Sequence, residues 1–125
     1  MFEYFCKVTR VVDGDTIDVE VDLGFDIIHR ARVRMMGIDT PESRTRNKAE
    51  KVLGLASKAR LKELLTNRRV RLETSKEGKG KFGRILATVW TSDKKGGEEY
   101  VNINEKLIEE GHARPYFGGS KIPWV

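Results

Sequence analysis

One cysteine in 125 residues excludes an internal disulfide, so stability has to come from packing. Cys6 stands in the alternating apolar run Phe2 to Val8, where a buried thiol is expected, and no histidine beside it suggests a nucleophile. Long apolar runs are also absent. None approaches the roughly 20 residues a membrane-spanning helix needs. No basic N-terminus leads into the apolar run of about 7–15 residues that marks a signal peptide. The expectation is therefore a cytoplasmic chain with no membrane partner, although a secreted form already trimmed of its signal would read the same. Internal repeats and low-complexity segments are missing. The two histidines, His29 and His112, lie far apart without metal-ligand spacing and are expected at the surface or at a helix end.

What is present suffices for one domain over residues 1–125 with a core of its own. Lys plus Arg number 24 against 19 Asp plus Glu, a net charge of +5. That surplus favours polyanionic partners such as nucleic acid, yet it is small enough to fit plain solubility.

Period-two alternation predicts strands over 5–12 and 16–22, the second with Ile17, Val19 and Val21 on one face and Asp18, Glu20 and Asp22 on the other. Asp13-Gly14 between them is a hairpin signal. A third strand is expected over about 27–36, ending at Gly37, and the polar segment 39–47 around Pro41 reads as a loop. The pattern turns helical over about 48–66, with Val52, Leu55, Ala56, Ala59 and Leu64 as the stripe and Leu53, Leu61 and Leu65 widening it, while Gly54 leaves its true start open. Its charges, including Lys48, Lys51 and Glu50, read as a solvated face. Strands follow at 70–74 and 85–91, separated by the loop SKEGKGKFGR; the apolar ILATVW is expected to be central. Asn102 caps a short helix that Gly111 ends, and no regular structure is expected in PYFGGSKIPWV. Five strands with two helices among them suggest a small OB-type barrel, which on pattern alone is one of several α+β arrangements.

Three stretches carry candidate chemistry. Asp15 shares the odd-numbered register of the apolar residues, so a regular strand aims its carboxylate at the core side, where it requires a cation or donors; a turn distortion would return it to solvent. Asp39 and Thr40 precede Pro41, which restrains their geometry, and Glu42 follows it. Asp15 and Asp39 are hard oxygen ligands suited to Ca²⁺ or Mg²⁺, or else ordinary turn and loop residues. Arg84 at a loop-to-strand junction, with Lys79 and Lys81 before it, can present a bidentate charge to a phosphate, or can belong to a solvated basic hairpin. Arg44 and Arg46 are placed to attract a polynucleotide at long range.

Taken together, VVDGDTIDV, RVRMMGIDTPES and KFGRILA resemble the staphylococcal nuclease (thermonuclease) family in order and separation, and VNINEKLIEEGHARPY resembles its following helix; the likeness covers roughly residues 5–117. It implies a five-stranded OB-fold barrel, α+β and mainly β, with two or three helices. It also implies a Ca²⁺-dependent, sequence-nonspecific nuclease acting as a monomer on DNA and RNA, preferring single strands and leaving 3′-phosphates. By the same resemblance Asp15 and Asp39 are calcium carboxylates and Thr40 lends its backbone carbonyl. Arg34 and Arg84 grip the phosphate, Glu42 is the general base for in-line attack of water, and Lys81 and Tyr116 contact the nucleotide. A catalytically silent OB module that binds nucleic acid or protein is the alternative, and the joint survival of Asp15, Arg34, Asp39, Glu42 and Arg84 argues against it. Three departures stand out: Phe82 in place of a common tyrosine, Gly80 in place of a common aspartate, and GGSKIPWV where the family has a C-terminal helix. Trp124 is expected to cover the core patch such a helix would bury.

Overall fold

The computed structural model describes residues 2–79, 85–92 and 97–125, with the side chains of residues 75–79 left aside. Five strands do most of the work: β1 (Phe2–Asp13), β2 (Thr16–Asp22), β3 (Ile28–Met35), β5 (Arg69–Lys79) and β6 (Ile85–Thr91). Between them come β4 (Ile38–Asp39) and α1 (Lys48–Leu65), and after them β7 (Val101–Asn102), α2 (Ile103–Glu109) and β8 (Arg114–Pro115). The sheet runs β3-β2-β1-β5-β6-β7, and a parallel pairing of β3 with β6 closes it into a five-stranded barrel. Closure satisfies both edges of the sheet, which an open five-strand ribbon would leave unpaired. This is the OB-type architecture that the alternation pattern suggested.

The inward residues of β2, Ile17, Val19 and Val21, are buried at 0%, 1% and 5% exposure. The outward acids of the same strand meet arginines: Asp18 meets Arg32 at 2.8 Å, Glu20 meets Arg30 at 3.5 Å and Asp22 meets Arg69 at 3.2 Å. As expected, β6 is central, pairing with β3, β5 and β7. Its predecessor β5 runs on through Lys79, five residues past its expected end at Thr74, because Thr74 to Lys79 span an irregularity in the pairing with β6 and do not leave the sheet.

The inward face of α1 matches the expected apolar face at Leu61, Leu64 and Leu65 and departs from it in the first half of the helix. Gly54, Ser57, Leu61, Leu64 and Leu65 are buried, whereas Val52, Leu53 and Leu55 are 67%, 41% and 48% exposed. The helix begins at Lys48 under an Asn47 cap, whose Oδ1 accepts the Glu50 N–H at 3.1 Å. At Gly54, α1 lies against the backbone of Glu42 and Ser43, nearer than any side chain at that position would allow. The end of α2 is tied to α1 through Arg60, which donates to both oxygens of Glu110 at 2.6 and 2.9 Å. Those donors hold the Glu110 carboxyl below the usual carboxylate range.

Cys6 is 1% exposed inside this barrel, and burial pushes its thiol up to about 12. A thiol-specific reagent at mildly alkaline pH is therefore expected to leave the native chain unmodified and to label one thiol once denaturant is added. Rapid labelling of the folded protein would contradict this placement of Cys6.

Candidate active site

The site forms where the β1–β2 turn, the end of β3, β4 and the start of the following loop converge. The turn itself is Gly14-Asp15, one residue later than expected, since Asp13 pairs with Thr16 across it. A Cβ on Gly14 would lie 2.9 Å from Ser57 Cβ and 3.0 Å from Thr40 Oγ1, so only glycine lets the turn lodge between α1 and Thr40. Lodged there, Asp15 is 8% exposed despite being a turn residue. Its backbone carbonyl accepts Met35 N–H at 2.8 Å, its Oδ1 accepts the Thr16 hydroxyl at 2.9 Å, and its Oδ2 meets Arg34 Nη1 at 3.1 Å.

Arg34 lies opposite Thr16 in β2 and beside Leu86 in β6, so barrel closure fixes its backbone on both sides. Its guanidinium donates to the carbonyls of Met35 at 3.1 Å and Ile38 at 3.0 Å, and its Nη2 stands 3.9 Å from Asp39 Oδ1. One planar cation thus spans two buried carboxylates, a geometry that lysine cannot reproduce. Asp39 was expected in a loop; it closes the short strand β4, held antiparallel to β8 with Asp39 opposite Arg114. It is 4% exposed.

Thr40 is also buried, and its Oγ1 has no hydrogen-bond partner among the described residues. Two carboxylates and an unpartnered hydroxyl make an all-oxygen donor set, the kind a hard cation takes. No group of three or more His, Cys, Asp or Glu side chains assembles among the described residues. Any ion held here relies on these two acids with carbonyl and water oxygens.

Glu42, two residues beyond Thr40, stands exposed at the rim, and its carboxylate has no partner among the described residues. Its backbone, by contrast, is pinned. The N–H donates to Glu50 Oε2 at 3.0 Å, and the carbonyl lies 2.3 Å from where a Cβ on Gly54 would sit. Glu50 is therefore no mere member of a solvated helix face. Tyr116 donates its N–H to the Gly37 carbonyl at 2.9 Å and its hydroxyl to Gly119 at 2.8 Å. With Arg34, Ile38 and Lys121 it lines a cavity of about 650 Å³. The structure thus brings together Asp15, Arg34, Asp39 and Thr40, with Tyr116 lining the same cavity as Arg34. Lys81 and Arg84, like Gly80 and Phe82, lie outside the described residues.

Staphylococcal nuclease homologue is the family matched, over residues 32–122. The chain belongs to that family. The match takes in Arg34, Asp39, Thr40, Glu42 and the whole tail to Ile122, while the β1–β2 hairpin with Asp15 precedes it. Over 110 residues the chain is 46% identical to the thermonuclease of Staphylococcus intermedius, a segment making up 88% of this chain and 58% of that protein. It is 42% identical over 111 residues to the thermonuclease of Staphylococcus hyicus, 89% of this chain and 59% of that protein. A more distant relative is the SPbeta prophage-derived endonuclease YokF of Bacillus subtilis, 36% identical over 106 residues, 84% of this chain and 32% of that protein. This member of the staphylococcal nuclease family thus spans about three fifths of the length of the thermonucleases it matches.

Within the family frame, the tail departs from expectation. Trp124 does not cover a core patch: its indole Nε1–H donates to Asp39 Oδ2 at 3.2 Å, across 85 residues of sequence. Lys121 Nζ reaches Asp39 Oδ1 at 3.2 Å. Nothing in the local pattern of residues 115–125 signals either contact. Glu50 was more accessible to sequence reasoning, since an Asn three residues before it is an N-cap spacing and fixes its place in the first turn of α1.

Proposed function

We propose that the chain is a Ca²⁺-dependent nuclease that hydrolyses phosphodiester bonds of DNA and RNA without sequence preference. Single strands are favoured, the products carry 3′-phosphates, and the protein works as a monomer. The observation that carries this reading is the buried Asp15–Arg34–Asp39 cluster, with Glu42 three residues beyond Asp39 in the chain and its backbone held by Glu50. Burying two acids and a guanidinium is a poor way to stabilise a barrel, because desolvation offsets most of their attraction. A site that must hold charge against a phosphodiester explains the arrangement. The two thermonucleases among the relatives support the same class of reaction.

In this reading Asp15, Asp39 and the Thr40 carbonyl hold the calcium ion, which supplies positive charge to the phosphoryl oxygens. Arg34 presents its guanidinium edge to the phosphate, already oriented by the Met35 and Ile38 carbonyls, so little reorganisation accompanies binding. Arg84 contributes the second guanidinium, and Lys81 and Tyr116 bind the flanking nucleotide. Glu42 takes the proton from the attacking water. Its exposed carboxylate is free to reach that water, while Glu50 and Gly54 keep its backbone in place.

Incubation with denatured DNA and with RNA, with Ca²⁺ or with a chelator, tests the proposal. Degradation is expected with Ca²⁺ and is expected to cease in chelator; persistence in chelator overturns the metal-dependent mechanism. Retained binding without cleavage in any divalent ion would instead favour the silent binding module. Binding of denatured DNA to the Glu42→Gln protein is expected to weaken as salt rises, with log K falling linearly in log salt at roughly −0.7 per phosphate contacted. A flat salt response would contradict recognition through phosphates.

A further inference from the structure

Asp39 is crowded with cations and donors of this chain's own. Its Oδ1 faces Lys121 Nζ at 3.2 Å and Arg34 Nη2 at 3.9 Å, and its Oδ2 faces Trp124 Nε1 at 3.2 Å and Arg114 Nη2 at 3.7 Å. The two carboxylates of the site thus meet three positive side chains. Two of these, Arg34 and Arg114, come from the barrel and from β8. The third belongs to a segment with no regular structure.

That segment is not loosely laid down. Arg114 donates Nη2 to the Ile122 carbonyl, and its guanidinium stacks on the Trp124 ring at 4.1 Å from the centroid. Arg114 is itself opposite Asp39 in the β4–β8 pair. The tail is therefore fastened at the residue that faces the carboxylate, and Trp124 is delivered to Asp39 by a stacked arginine. Lys121 differs: its side chain is 56% exposed, it lines the cavity with Arg34, and its ammonium meets Asp39 Oδ1 at 3.2 Å and lies 5.4 Å from the centre of the Tyr116 ring.

We infer that Trp124 is a positioning residue for Asp39 and that Lys121 is a built-in cation which a divalent ion must displace, so that the tail sets the ion affinity of the site. The inference rests on the reading of Asp15 and Asp39 as ion-holding carboxylates. A donor on one oxygen of a ligating carboxylate limits its rotation and leaves the other oxygen directed into the site, the usual work of groups behind a metal ligand. An ammonium on that other oxygen competes with an incoming cation for the same negative charge. Because Lys121 is half exposed, solvent screens it, and its displacement is correspondingly easy.

Calorimetric titration of the purified chain with Ca²⁺ alone, without nucleic acid, tests this. Lys121→Gln is expected to lower Kd roughly two- to five-fold, the range of an exposed ion pair. Trp124→Phe is expected to raise Kd about tenfold, as for loss of a group supporting a metal ligand. Lys7→Gln, on an exposed position of β1, controls for the loss of one positive charge anywhere on the protein. Tb³⁺ supplies a second readout: excitation of the indole band should give sensitised emission that Trp124→Phe largely removes while Trp90 remains. Equal effects of Lys121→Gln and Lys7→Gln, or unchanged Kd and unchanged terbium emission in Trp124→Phe, overturn the inference. The two readings fail separately. Cleavage with a tail-independent Kd leaves the nuclease standing and sinks the tail's role. A tail-dependent Kd in a chain that cleaves nothing does the reverse.

Discussion

Replacement of Glu42 by glutamine is expected to lower turnover on denatured DNA by about 10²–10⁴-fold, with KM changed by no more than a few fold. The substitution keeps the side chain's size, and the contacts that locate residue 42 are made by its backbone: the N–H to Glu50 Oε2 and the carbonyl against Gly54. What is lost is the ability to take a proton. At about 1.4 kcal/mol per tenfold, the drop corresponds to roughly 3–5 kcal/mol of transition-state stabilisation, more than an exposed carboxylate contributes to binding a polyanion. Steady-state rates across substrate concentration separate the two parameters. An unaltered kcat would remove Glu42 from the chemistry. A raised KM with unaltered kcat would reassign it to substrate positioning.

The Gly54→Ala chain should lose stability and activity together. The added Cβ would sit 2.3 Å from the Glu42 carbonyl oxygen, 2.4 Å from its carbon and 2.6 Å from Ser43 N. All three are backbone atoms, so no side chain can swing aside. Alanine gains about 1 kcal/mol of helix propensity over glycine in a helix interior. Overpacking costs about 1–3 kcal/mol, and contact with backbone puts this case toward the upper end. The expected balance is a net loss of about 1–2 kcal/mol, read as a lower urea midpoint. Turnover should fall further than stability alone explains, because relief of the clash moves Glu42, and a displacement of about 1 Å in a catalytic group is worth on the order of 10²-fold. Val52→Ala, on the exposed face of the same helix, should change neither. A Gly54→Ala protein as stable and active as the parent would show that α1 does not fix the Glu42 loop.

Much of the fold was legible residue by residue. The alternation of Ile17, Val19 and Val21 with Asp18, Glu20 and Asp22 gave both the strand and its faces, whereas the register of Asp15 left two outcomes open, and its burial comes from the lodged turn and not from the strand, which begins at Thr16. The face of α1 was legible only in part: Leu61, Leu64 and Leu65 are buried as their apolar character implies, but Val52, Leu53 and Leu55 point outward because a small residue at position 54 permits an approach that larger ones forbid. Hydropathy ranks side chains by their transfer energy and is blind to the value of an absent one. The same blindness hid β4 and β8, two-residue strands too short for any period to register.

By itself, then, the sequence determined the main strands and helices, the oxygen-rich and arginine-bearing motifs, and through the resemblance of those motifs the family and its barrel. These follow from interactions between residues a few positions apart, where periodicity and turn chemistry operate. Only the tertiary structure decided what each acid touches. Arg34 bridges Asp15 and Asp39 because barrel closure brings the β1–β2 turn beside the end of β3. Glu50 and Gly54 hold Glu42 because α1 packs against its loop. Trp124 and Lys121 reach Asp39 because β8 pairs with β4 and Arg114 carries the tail back over the site. Such contacts join residues up to 85 positions apart, and their cause is the packing of whole elements, which no local pattern encodes.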